Sequence, residues 1–136
     1  VYDRPVNLFV AQFLGTPPIN VFSGSVRNEH LIIGDSAVLN VPGVKDQPVW
    51  VGIRPEGFVL DENGPLVCRL SGVEVMGRDI SVISSHPACT NAAIRAIVDA
   101  QNLIDESKTD VRFALKASKV HIFSKETEER ILFGQQ

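Results

Sequence analysis

The sequence predicts a mainly β domain, built as a small antiparallel barrel or sandwich and preceded by one N-terminal α-helix. From Val21 onward, short apolar runs alternate with turn segments such as "GD", "VPG", "DENGP" and "MGRD". Many short strands joined by tight turns give this pattern. Before Asn20 the apolar residues instead follow a helical period. Closure into a barrel would also remove exposed strand edges.

The N-terminal helix is predicted within "DRPVNLFVAQFLGTPP", where apolar residues recur three and four positions apart. The members of this apolar stripe are Val6, Phe9, Val10, Phe13 and Leu14. A proline suits the first turn, a glycine suits the C-terminal end, and the two prolines at 17–18 prevent continuation. We therefore expect a helical segment over residues 1–20 and a barrel over 21–136.

The predicted strands alternate between apolar and polar side chains, so each has one face suited to a core. One such face carries Val49, Val51 and Ile53, and another carries Val111, Phe113 and Leu115. The stretch "AQNLIDESKTD" is compatible equally with a short helical turn and with a loop.

Composition narrows the function classes. The 136 residues are 44% apolar, enough for one domain with a core, and the net charge is −3. An acidic balance disfavours binding to nucleic acid or to an anionic membrane. No run is long enough to span a bilayer and no secretory signal is visible, so we expect a soluble chain. The presence of only two cysteines suggests a reducing compartment, although a single disulfide bond between them remains an alternative. A start at Val1 suggests a fragment or a processed chain.

No catalytic or metal-binding motif is present. The phosphate-binding loop G-x-x-x-x-G-K-[ST], the nucleophile elbow G-x-S-x-G and the zinc motif H-E-x-x-H are all missing from the sequence. His86 and Cys89 have a metal-like spacing but lack a second pair of ligands. Carboxylates at 61–62 and 126–129 fit solvated turns. We expect no catalytic residue, no bound metal and no cofactor in this chain.

Four motifs in one order resemble a known family. Residues 2–20, "YDRPVNLFVAQFLGTPPIN", resemble the segment Y-x-x-P-x-N-x-F-V-A-x-F-x-G-x-P-x-M/I-N that closes the ATPase core of sugar-import ABC transporter subunits of the maltose and multiple-sugar type. "VGIRPEGFVL" resembles the G-I-R-P-E motif of their C-terminal regulatory domain, and "VEVMGRD" its V-E-x-x-G-x-E. Residues 119–131, "KVHIFSKETEERI", resemble the closing H-x-F-D-x-x-T-G-x-R-I.

Three positions depart from the family pattern. Asp79 stands where the family often has Glu, Ser124 where it has Asp, and Glu128 where it has Gly. These departures leave the fold assignment intact and affect only contacts made by the replaced groups.

The resemblance implies an OB-like regulatory barrel of the TOBE type that lacks the nucleotide site. Its implied partners are the ATPase core of the same polypeptide, a second copy of the ATP-binding subunit, the membrane permease subunits and, in some members, a regulatory protein. ATP and Mg would bind the parent subunit, on the cytoplasmic side of the plasma membrane. The implied role is to hold two ATPase halves together while they open and close.

The candidate interface residues follow from these motifs. Pro55 fixes φ and removes a donor, so the chain must leave its ladder there and hold Arg54 and Glu56 at a corner. Each charged residue could pair within the domain or with a partner domain. Glu74, in the motif "VEVMGRD", is a further candidate interface residue. Phe9 and Phe13 could cover one end of the barrel or pack against the ATPase core.

Two other function classes remain open from the residues. A free-standing barrel that binds an oxyanion such as molybdate or sulfate would use serines such as Ser81, Ser84 and Ser85. A nucleic-acid-binding barrel is disfavoured by the net charge and by the sparse aromatic residues.

Overall fold

The structure is a computed structural model that describes residues 19–90, 93–99, 107–127, 129–131 and 133. The predicted N-terminal helix, with Phe9 and Phe13, lies outside the described residues. Much of the ambiguous stretch at 100–110 also lies outside them. In the described part of the chain, no helix is long and apolar enough to cross a bilayer.

The first layer is a six-stranded antiparallel sheet with the strand order β11-β10-β4-β1-β2-β3. Its strands are β1 (Asn20–Arg27), β2 (His30–Ile33), β3 (Ser36–Asn40), β4 (Gln47–Ile53), β10 (Val120–Ser124) and β11 (Arg130–Ile131). Strand β1 lies near the middle of this sheet and pairs with both β2 and β4.

The second layer is a five-stranded antiparallel sheet with the order β5-β9-β6-β7-β8. Its strands are β5 (Phe58–Leu60), β6 (Leu66–Met76), β7 (Asp79–Ser85), β8 (Ile94–Asp99) and β9 (Asp110–Leu115). The two edge strands, β5 and β8, lie against each other, so the sheet curls until it is nearly closed. This confirms the predicted mainly β fold of OB-like barrel type.

The core lies between the inner faces of the two sheets. Val49, Val51 and Ile53 are fully buried on one side, as their alternation predicts, and Phe113 is fully buried on the other. The ring of Phe113 meets Phe58 edge to face, with ring centroids 5.0 Å apart. Burial of such side chains contributes about 1.5–3 kcal/mol each, so this core is the main source of stability.

Two short turns carry the chain between the sheets. A 3-10 turn at Pro55–Gly57 leads from β4 to β5, and a second 3-10 turn at Ala117–Lys119 leads from β9 to β10. We call this pair of turns the crossover corner. The "RPEG" residues that stood out in the sequence form its first half.

Candidate functional site

The crossover corner begins at Pro55, the first residue of its 3-10 turn. Arg54 before it keeps extended backbone angles, and its carbonyl accepts a hydrogen bond from Gly57 N at 2.8 Å. Pro55 is buried, whereas Glu56 is exposed. The fixed φ of proline and its missing donor end the β4 ladder here, as the sequence predicts.

The two turns of the corner are in direct contact. Arg54 N donates to Lys119 O at 3.3 Å, and Lys116 N donates to Gly57 O at 2.9 Å. A Cβ on Gly57 would lie 2.7 Å from the Cβ of Lys119, closer than real Cβ contacts. The turns therefore hold each other in place, and glycine at 57 is required by the close approach.

The charged side chains of the corner are partly exposed. Lys119 Nζ lies 3.9 Å from Glu56 Oε2, and the two side chains are 42% and 49% exposed. Glu56 thus pairs inside the domain, one of the two alternatives that the sequence allows. An exposed pair of this kind contributes about 0–1 kcal/mol, so both groups remain available to a partner surface.

His121 on β10 lies beside the same cations. Burial lowers the pKa of His121, and the nearby charges of Arg130, Arg54 and Lys119 lower it further. Arg130 Nη2 is 2.8 Å from His121 Nδ1, and the guanidinium is always the donor. The imidazole is therefore held neutral, with Nδ1 as an acceptor.

Glu74 lies on β6, away from the two turns in sequence, and pairs with Arg95 on β8. Their side chains approach to 3.4 Å and are each about half exposed. The same Arg95 nitrogen lies 3.4 Å from Ser81 Oγ. The candidate Glu74 thus has a partner inside the domain, across the outer side of the five-stranded sheet.

Asn20 connects Arg95 to the corner and was not among the candidates from sequence. Its Nδ2 donates to Ile53 O at 3.1 Å and to Arg95 O at 3.1 Å, and its Oδ1 accepts from Arg95 N at 3.0 Å. Ile53 directly precedes Arg54. The one available signal is that Asn20 is the last residue of the first family motif.

His86 and Cys89 occupy a loop that adds to the free edge of β1. Thr90 N donates to Val21 O at 2.7 Å and Ser23 N to Ala88 O at 2.8 Å. His86 Nδ1 accepts from Ala88 N at 2.9 Å, and its ring packs edge-on against Phe22. These contacts give the histidine a structural role. Across the described residues, no group of three metal-ligating side chains forms.

The serines of the oxyanion alternative do not converge on one site. Strand alternation places Ser84 on the inner face of β7, and Ser81 and Ser85 on the opposite face. Ser84 is fully buried beside Cys68 in the core. An anion could not contact all three hydroxyls at once.

Comparison with known proteins identifies relatives over nearly the whole chain. The sn-glycerol-3-phosphate import ATP-binding protein UgpC of Ruegeria sp. (strain TM1040) is 29% identical over 131 residues, covering 96% of this chain and 37% of the relative. The oligosaccharides import ATP-binding protein MsmX of Bacillus subtilis (strain 168) is 32% identical over 149 residues, covering 96% and 39%. The chain is homologous to ATP-binding subunits of sugar-import ABC transporters.

A third relative of this kind is the diacetylchitobiose uptake system ATP-binding protein MsiK of Streptomyces coelicolor, 27% identical over 154 residues. The chain spans about two fifths of the length of these relatives. No protein-family model matches it. The relatives confirm the resemblance carried by the four motifs, and a mainly β domain of this size agrees with a part of such a subunit.

Proposed function

We propose that this chain is the C-terminal regulatory and dimerisation domain of the ATP-binding subunit of an ABC importer. The observation that carries the proposal is the homology over 96% of the chain to import ATP-binding proteins that are more than twice as long. The order of the four motifs supports the same position within the subunit. The domain itself takes no part in catalysis, and ATP and Mg bind elsewhere in the parent subunit.

The proposed mechanism is mechanical. Two copies of the domain pair and keep two ATPase cores at a high effective concentration while the cores separate and rejoin. A domain of paired strands, cross-linked at the corner by the two turns and by Asn20, is stiff enough to transmit such a constraint. The assembly lies on the cytoplasmic side of the membrane, attached through the permease subunits.

The solute class follows from the relatives as part of the proposal. Their names include oligosaccharides, diacetylchitobiose and sn-glycerol-3-phosphate, all polyhydroxylated compounds. We therefore propose that the parent system imports a sugar or a related polyol. A regulatory protein is a further proposed partner of the exposed surface.

The crossover corner is the proposed partner surface. Arg54 is half-buried and its backbone is held by bonds to Lys119 and Gly57, so its side chain leaves the backbone at a fixed point of the corner. Such an arginine can recognise a carboxylate with two parallel hydrogen bonds. The weak Glu56 and Lys119 pair beside it can exchange its partner at low cost.

The test is self-association of the Arg54→Ala variant, with Arg27→Ala as the matched control because Arg27 is an exposed arginine at the far end of β1. Sedimentation equilibrium would measure the dimer dissociation constant, both for this chain and for the subunit with its ATPase core. We expect Arg54→Ala to raise that constant roughly tenfold, as loss of one charged interface contact does. Lower stability of the variant with unchanged association would overturn the assignment of this surface.

A further inference from the structure

An open groove lies on the outer side of the five-stranded sheet, where β7 ends. Its volume is about 450 Å³, within the range of about 300–1,000 Å³ in which small-molecule sites lie. Val67 and Pro87 give it apolar surface, and its polar lining consists of Arg69, Ser85, His86 and Asp110. Apolar walls with a few polar groups are the usual composition of a ligand site.

Three of the polar residues form one row across neighbouring strands. Arg69 on β6 lies opposite Ser85 on β7 in one direction and opposite Asp110 on β9 in the other. Residues that face each other in this way have Cβ atoms about 4.5–5.5 Å apart on the same side of the sheet. Arg69 is exposed while its neighbour Cys68 is buried, so the row faces outward. One small ligand can therefore reach all three side chains.

His86 follows Ser85 directly, and its ring is held in one orientation. Nδ1 accepts a hydrogen bond from Ala88 N at 2.9 Å, and the ring meets Phe22 edge to face with centroids 5.9 Å apart. On another side, a Cβ at Gly34 would lie only 3.1 Å from Cε1. Because Nδ1 is the acceptor, the neutral imidazole carries its proton on Nε2, and burial lowers the pKa of His86 and keeps the ring neutral. The groove thus gains a fixed N–H donor.

The donors of the groove are not used by the domain itself. Across the residues that the structure describes, the guanidinium of Arg69, the hydroxyl of Ser85 and Nε2 of His86 form no hydrogen bond. Arg69 and Asp110 also form no ion pair there, although they are cross-strand neighbours of opposite charge. All four polar groups therefore remain available to a ligand.

We propose that this groove binds a small phosphorylated polyol. A phosphomonoester has three terminal oxygens that accept hydrogen bonds, and the groove offers three donors, one of them the permanently charged guanidinium of Arg69. Asp110 can only accept, and it would repel a bare anion bound beside it. A hydroxyl group of the ligand that donates to Asp110 removes this conflict. The carbon chain of the polyol then rests on Val67 and Pro87.

The groove is distinct from the other sites considered for this domain. It uses Ser85 but neither Ser81 nor Ser84, so it does not need the three serines to converge. It lies at the Asp110 end of β9, whereas the crossover corner follows Leu115 at the other end of that strand. Six strand residues separate the two ends by about 17 Å. The groove can therefore be occupied while the corner contacts a partner.

The test is isothermal titration calorimetry of the 136-residue chain with three probes. Glycerol 3-phosphate carries both the phosphate and the hydroxyl groups, inorganic phosphate carries the anion alone, and glycerol carries the hydroxyl groups alone. We expect glycerol 3-phosphate to bind at least roughly threefold more tightly than inorganic phosphate, because of the added hydrogen bond to Asp110. Glycerol should give no binding heat, since it lacks the charged group.

Two variants assign the binding to this groove. Arg69→Gln should weaken the binding of glycerol 3-phosphate at least about tenfold, as loss of a hydrogen bond between charged groups does. Arg78→Gln is the matched control, since Arg78 is an exposed arginine at the other end of the same pair of strands, and it should leave the affinity unchanged. Asp110→Ala should abolish the preference for glycerol 3-phosphate over inorganic phosphate.

Three outcomes would overturn the proposal. The first is the absence of binding by glycerol 3-phosphate up to about 10 mM, where a millimolar dissociation constant would be saturated. The second is an equal effect of Arg69→Gln and Arg78→Gln, which would show that the anion binds elsewhere. The third is a preference for glycerol 3-phosphate that survives Asp110→Ala. None of these measurements depends on dimerisation, so the proposal can fail while the proposed function stands.

Discussion

The side-chain amide of Asn20 and the backbone of Arg95 exchange two hydrogen bonds. Nδ2 donates to Arg95 O at 3.1 Å, and Oδ1 accepts from Arg95 N at 3.0 Å. Asn20 begins the six-stranded sheet and Arg95 belongs to the five-stranded one. This buried amide thus replaces a pair of backbone hydrogen bonds between strands and links the two layers. Nδ2 also donates a hydrogen bond to Ile53 O.

We predict that Asn20→Ala destabilises the domain by about 2–4 kcal/mol, because it removes three hydrogen bonds and leaves buried backbone groups without partners. Urea denaturation followed by Trp50 fluorescence measures the change. Asn40→Ala is the matched control, since Asn40 is exposed and its Oδ1 lies 2.8 Å from Nδ1 of the equally exposed His30. Equal losses in the two variants would show that the Asn20 amide does not link the sheets.

Gly57 allows a second test of the crossover corner. A methyl group there would meet the Cβ of Lys119 at 2.7 Å, so one of the two turns must move. We predict that Gly57→Ala costs about 1–3 kcal/mol, the usual effect of overpacking. Gly72→Ala is the control, because a Cβ at Gly72 meets nothing within 4 Å, and its effect should stay within about 0.5 kcal/mol. A tolerated Gly57→Ala would mean that the turns are not in tight contact.

Strand positions could be predicted from the sequence because they depend on local information. Alternation and turn residues are properties of a few neighbouring positions, and they locate β4 and β9 and several of the turns between the other strands. The short strand β11 escapes this reasoning, since two residues are too few to show a period. Proline at 55 is likewise a local signal, and it predicts the corner correctly.

Contacts between distant positions could not be predicted in this way. Asn20 and Arg95 are 75 residues apart, and a single asparagine before a strand reads as an ordinary turn residue. The contact of Gly57 with Lys119 depends on how two crossovers meet, which no window of sequence contains. For the same reason, the sequence does not show that Arg95 is the partner of Glu74. Whether Arg54, Glu56 and Glu74 also serve an interface stays a prediction.

We predict that Glu56→Gln changes the free energy of unfolding by less than about 0.5 kcal/mol, because the pair with Lys119 is about half exposed and 3.9 Å long. Thermal denaturation of this chain measures the effect. The small change makes the variant useful, since any weaker self-association can then be assigned to the surface itself. A loss above about 1 kcal/mol would show that the pair does more than an ordinary exposed ion pair.

The lowered pKa of His121 predicts that the free energy of unfolding falls when the solution is made acidic. Its folded pKa lies below the ordinary 6.5, mainly because of burial and then because of Arg130, Arg54 and Lys119. The unfolded chain therefore binds a proton first as the pH falls through about 6.5, which lowers the free energy of unfolding. Burial lowers the pKa of His86 as well. Denaturation curves at several pH values should show a shallower acid loss for His121→Gln, and a still shallower one for His86→Gln with His121→Gln. An unchanged profile in the double variant would refute this assignment.

The raised pKa of Cys68 predicts that the free energy of unfolding also falls when the solution is made alkaline. Burial raises the pKa of its thiol from 9.0 to about 12, the nearby Ser84 hydroxyl opposes the rise, and Cys89 adds to it. Between these two values the unfolded chain releases a proton that the folded chain keeps. The free energy of unfolding should therefore fall by up to about 1.4 kcal/mol for each pH unit in that window. Cys68→Ala removes the titrating group, so the unfolding profiles of the variant and the unchanged chain should converge as the pH rises from 9 toward 12.

In a Cys89→Ser background, the remaining thiol of Cys68 should also resist a disulfide reagent at pH values below 9 until urea unfolds the domain, because the thiolate is the reactive form. Rapid labelling of the folded protein would show that the thiol is neither buried nor held in its neutral form.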